Sequence, residues 1–67
     1  MSEKELVQRT YNDILKKINE VICRKEINKT NLAKKLGISR QTLYDYLNGI
    51  NIMPYDIVLH INMLLNS

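Results

Sequence analysis

A single cysteine, Cys23, leaves this chain without an internal disulfide. It has no run of about 18 apolar residues, so no segment is built to span a membrane. One proline and two glycines among 67 residues, with 45% hydrophobic and 25% charged, exclude a low-complexity composition and indicate an ordered, globular chain. That length has no room for a Rossmann unit or a barrel. The core must be small, so the helices must pack efficiently or a partner subunit must contribute. His60 has no second His or Cys one turn away, so no metal site is expected. Neither His60 nor Cys23 has an acid or base at a spacing that catalysis needs, and Cys23 reads as a small, half-buried hydrophobe. No enzyme activity, cofactor or small-molecule ligand is expected. No signal peptide opens the chain, which places it in the cytoplasm.

The informative stretch runs from Asn28 to Gly49 and reads as two short helices joined by a tight turn. Asn28 caps the first, whose inward residues are Leu32, Ala33 and Leu36, spaced three to four apart as one helical face requires. Gly37 stops it, because the residue past a helix end commonly takes the left-handed conformation that glycine adopts without a Cβ clash. Ser39 caps the second helix, Arg40 to Asn48, with Leu43, Tyr46 and Leu47 inward and Gly49 at its end. Ala33 is small where two steeply crossing helices come closest.

Ala33, Gly37, Ile38 and Leu43 in this register, with Asn48-Gly49 closing the second helix, resemble the helix-turn-helix of the lambda-repressor-like family, the Cro and phage-repressor regulators. The resemblance covers about a third of the chain. It implies a small all-α domain with a long first helix, four helices in number with five as the alternative count. Residues 1–67 would form one DNA-binding domain, with the motif at about 29–48. The function implied is sequence-specific binding of double-stranded DNA as a transcriptional regulator. By the same resemblance Arg40, Gln41, Tyr44 and Asp45 read bases, while Lys29, Thr30, Lys34, Lys35, Ser39 and Asn48 hold phosphates. The family usually has glutamine where this chain has Lys29, so the usual glutamine support of the recognition helix is missing.

The residues agree with that implication. Turning 100° per residue sets Gln41, Asp45 and Asn48 opposite Leu43 and Leu47, with Arg40 and Tyr44 flanking. Glutamine pairs with adenine, arginine with guanine, and aspartate accepts from cytosine, all in the major groove. Net charge is +3, but residues 16–40 carry most of the positive charge: Lys16, Lys17, Arg24, Lys25, Lys29, Lys34, Lys35 and Arg40 outweigh Glu20 and Glu26. Both flanks are slightly acidic. A basic patch around the motif neutralises phosphates and releases counterions.

Elsewhere, Ser2 and Glu5 form a capping box for a long first helix ending near Arg24 or Lys25. Val7, Tyr11, Ile14, Ile18 and Val21 make its core stripe, with Tyr11 at the core edge, and its first turns extend past what the motif needs. Pro54 suits the first turn of a last helix that runs to about Leu65. Tyr55, Val58, Leu59, Asn62 and Leu65 form one face of that helix, and Ile57, Ile61 and Leu64 a second. A helix apolar on two sides needs two surfaces. The second stripe either packs on the long first helix or, left uncovered where the family's fifth helix would lie, forms a homodimer, alone or with the long first helix. Two other readings stand beside the regulator. Thr42 to Leu47 is also similar to recognition helices of tetracycline-repressor-type regulators and serine recombinases, which suggests an accessory factor for recombination, excision or plasmid transfer. The apolar last helix alternatively suggests a protein-interaction module such as an antirepressor.

Overall fold

A computed structural model of the chain describes residues 2–66, and among these it contains four helices: α1 (Glu3–Arg24), α2 (Lys29–Leu36), α3 (Arg40–Leu47) and α4 (Tyr55–Leu65). The first three begin on side-chain caps. The Ser2 hydroxyl accepts from the Glu5 amide at 3.2 Å, Asn28 Oδ1 from the Asn31 amide at 3.1 Å, and Ser39 Oγ from the Thr42 amide at 3.1 Å. Each cap satisfies one of the amides that a helix start leaves without a partner. Pro54 lies one residue earlier than expected. It is the N-cap of α4, with extended backbone and its carbonyl accepting from the Val58 amide at 3.0 Å, while Asp56 Oδ1 accepts from the Ile57 amide.

The first three helices also end alike. Glu26, Gly37 and Gly49 take the left-handed conformation, with φ of 53°, 73° and 76°. An isoleucine follows each, and its amide reaches back to a carbonyl of the last turn: Ile27 to Ile22 at 3.0 Å, Ile38 to Ala33 at 3.1 Å, Ile50 to Asp45 at 2.9 Å. Such closures use carbonyls that the helix would otherwise leave open. Two of the three sites have the glycine that the conformation favours. The third has glutamate.

The core is built from Ile18 and Ile22 of α1, Leu32, Ala33 and Leu36 of α2, Leu43 and Leu47 of α3, Met53, and Ile61 and Leu65 of α4. Leu43 and Ile61 are 0% exposed. α2 packs on α3 and on α4, and α1 packs on α4. Two polar contacts add α1 to the motif: Asn19 Nδ2 donates to the Leu47 carbonyl at the end of α3, and Tyr11 Oη accepts from the Met53 amide, at 3.1 and 3.0 Å. Lys25 Nζ donates to the Leu65 carbonyl at 2.6 Å, placing a cation at the negative end of α4.

Three expectations are corrected. Ile61 is fully buried and Ile57 and Leu64 pack against the core, so that stripe is not an outer surface. The large apolar side chains that α4 exposes are instead Tyr55, Leu59 and Met63, one turn apart, and Asn62 beside them is exposed too. With apolar residues on all sides, α4 gave no periodic signal to choose its face. Val7 is 65% exposed rather than core, because the core takes residues only from the second half of α1. At 22 residues α1 is about 33 Å long, close to the longest extent of the molecule, 38 Å. Cys23 is exposed rather than half-buried, since it follows Ile22 around the helix toward solvent. No helix among the described residues is long and apolar enough to cross a membrane.

Candidate nucleic-acid interface

The two buried leucines of α3 orient everything else on it. Leu43 and Leu47 lie one turn apart and both enter the core, with Tyr46 packed beside them. Their burial turns the opposite side of α3 to solvent, where Arg40, Gln41 and Asn48 are exposed and Tyr44 and Asp45 half-buried. Each fully buried leucine contributes about 1.5–3 kcal/mol relative to exposure, so rotating α3 to hide its polar side would cost several kcal/mol.

Side chains on this outer surface are ordered by one another. Gln41 Nε2 donates to Asp45 Oδ1 at 2.9 Å, one helical turn on. The bond fixes the amide and gives the carboxylate a donor, leaving the Gln41 carbonyl oxygen and the second Asp45 oxygen as acceptors. Beside them the Tyr44 ring holds two cations: Lys29 Nζ lies 5.3 Å and the Arg40 guanidinium 5.7 Å from its centroid. Those distances are within cation–π range. The Lys29 contact joins the first residue of α2 to the middle of α3, a link that no local pattern of the sequence signals. It stands where the family's glutamine support would be.

Of the remaining expected phosphate ligands, Thr30 and Lys34 are exposed on α2. Lys35 is exposed as well, but it lines a cleft with Ile27, Leu64 and Leu65 that includes no residue of α3. The Ser39 hydroxyl is occupied by the helix cap, accepting from the Thr42 amide and donating to Thr42 Oγ1 at 2.8 Å. Asn48 follows the last turn of α3, and its amide donates to the Tyr44 carbonyl. Arg40, Gln41, Tyr44, Asp45 and Lys29 therefore fall into two contact sets on the motif, Gln41 with Asp45 and the two cations on Tyr44. Lys35 and the Ser39 hydroxyl are not part of either. Sequence reasoning missed Asn19, which holds the end of α3, and placed Tyr11 at the core edge without its bond to the loop beyond α3, because the partners lie 28 and 42 residues away.

No group of three or more His, Cys, Asp or Glu residues that could hold a metal ion occurs among the described residues. A family model described as helix-turn-helix matches residues 22–58, more than half of the chain and the whole of α2, the turn and α3. No curated protein and no solved structure matches the chain.

Proposed function

Since the chain belongs to the lambda-repressor-like helix-turn-helix family, a family of DNA-binding domains, we propose that it is a sequence-specific transcriptional regulator that occupies an operator with α3 in the major groove. The observation that supports this reading is the division of α3 into a leucine side sunk in the core and an outward side of guanidinium, amide and carboxylate. An α-helix fits the major groove, and these are the groups that distinguish base edges there.

Arg40 takes a guanine through its N7 and O6 acceptors. Gln41 and Asp45 act together: with the amide NH2 already donating to the carboxylate, the pair offers acceptors to the exocyclic amino groups of adenine and cytosine. Tyr44 keeps Arg40 over its ring and adds an apolar contact to the groove floor. Lys29, Thr30, Lys34 and Asn48 contact phosphates and set the register, and the exposed amides at the start of α2 add to that grip. Lys35 and Ser39 contribute less, Lys35 through its charge at a distance and Ser39 through its backbone. The protein represses or recruits polymerase by occupying the site, and two copies on a two-fold site would set their α3 helices about 34 Å apart.

Selection of bound duplexes from a random pool tests the proposal. A short motif containing guanine next to adenine or cytosine is expected, with affinity falling linearly in log salt as phosphate contacts require. Recovery of unenriched sequence, or binding indifferent to salt, would overturn it.

A further inference from the structure

We infer that this protein, read as the DNA binder proposed above, is blocked by methylation of the exocyclic amino group of the base that faces Gln41 and Asp45. Gln41 Nε2 donates to Asp45 Oδ1 at 2.9 Å. Whichever amide hydrogen is used there, the Gln41 oxygen and the second Asp45 oxygen remain acceptors. Asp45 is also held in place. It is half-buried, and its backbone carbonyl accepts the Ile50 and Asn51 amides, at 2.9 and 3.3 Å, in the turn that closes α3.

The carboxylate has no cation to neutralise it. Among the described residues Gln41 is the one side chain bonded to it, while Lys29 and Arg40 are engaged on the Tyr44 ring. Brought against DNA, such an anion meets phosphate charge, and a charged acceptor left without a donor costs more than a neutral one. A donor on the base is therefore a condition of binding at that position. In the major groove only adenine and cytosine supply one, through N6 and N4, whereas guanine presents N7 and O6 and thymine O4, which are acceptors. Each amino group keeps one hydrogen in the base pair and points the other into the groove. A methyl group on that nitrogen preserves pairing only when it takes the groove position. It then removes the hydrogen that Gln41 and Asp45 accept and sets an apolar group against a carboxylate. Methylation at C5 of cytosine differs, because it leaves the N4 hydrogen in place. The pair thus excludes the modified base by withholding a partner from Asp45, which is discrimination through an unfavourable contact.

Fluorescence anisotropy tests this with the full chain and the duplex recovered by selection, each adenine and cytosine of the motif being replaced in turn by N6-methyladenine or N4-methylcytosine. One position should lose about ten- to a hundredfold in affinity, the usual cost of a wrong base pair. The same methylated base outside the motif should change nothing, and 5-methylcytosine at a sensitive cytosine should cost far less. Arg40→Ala, which weakens binding without touching the acceptors, should keep the gap between methylated and unmethylated duplex. The double variant Gln41→Ala/Asp45→Ala should close it, at a salt concentration low enough for phosphate contacts to hold the duplex. Its circular dichroism should be unchanged, because neither side chain belongs to the core. Equal affinity for every methylated form, from a protein that does select its sequence, overturns the inference and leaves the DNA-binding reading standing. A gap that survives in the double variant also overturns it, since another group then senses the methyl. A protein that selects no sequence overturns the DNA-binding reading itself, and this inference with it.

Discussion

Replacing Glu26 by glycine should stabilise the protein, and replacing Gly37 by alanine should destabilise it by a similar amount. Both residues follow a helix end in the left-handed region, at φ 53° and 73°, and in both cases the next isoleucine amide closes the last turn. A side chain held there costs about 1–2 kcal/mol. Glycine escapes that strain, but its freer unfolded chain takes back about 0.4–1 kcal/mol. The net for Glu26→Gly is a gain of about 0.5–1 kcal/mol, provided the glutamate makes no compensating contact, and Glu26 is exposed. For Gly37→Ala no atom lies within 4 Å of the added Cβ, so no steric clash enlarges the loss beyond the backbone strain. In a domain of this size 1 kcal/mol moves the melting temperature by about 4–8 °C. Thermal melts followed by circular dichroism should therefore show Glu26→Gly several degrees above the wild type and Gly37→Ala several degrees below. If Glu26→Gly melts at or under the wild-type temperature, the reading of this helix end as strained is wrong.

Tyr11→Phe removes the acceptor for the amide of buried Met53 and should cost about 1–3 kcal/mol in urea unfolding; Tyr55→Phe, at an exposed ring, should cost almost nothing. Asn19→Ala should cost about 1 kcal/mol by freeing the Leu47 carbonyl, and amide exchange should quicken first in the last turn of α3. A double-mutant cycle of Lys29→Gln with Tyr44→Leu should return a coupling of about 0.5–1 kcal/mol, and a value near zero would show that the ammonium and the ring do not communicate.

The helix-turn-helix was legible because its signals are local. Asn28, Gly37, Ser39 and Gly49 mark starts and stops through backbone chemistry that a few neighbouring residues determine, and Leu43 and Leu47 fix a face by spacing alone. α1 was legible for the same reason at its Ser2 cap. Glu26 was not, since nothing in glutamate announces a left-handed residue. α4 misled because its many apolar residues offer more than one stripe, and only the position of α1 and α2 decides that Ile61 goes inside and Met63 outside. The outward position of Arg40 and Gln41 followed from periodicity. The ties that order that surface, Gln41 to Asp45 and Lys29 to Tyr44, depend on rotamers and on the crossing of α2 with α3, which periodicity does not encode.

Affinity of Arg40→Ala and Gln41→Ala for the selected duplex and for a scrambled one, at one salt concentration, tests most directly whether the outward side of α3 reads sequence. Each substitution should cost about 1–3 kcal/mol on the selected duplex and little on the scrambled one. An equal loss on both, or no loss on either, would contradict it.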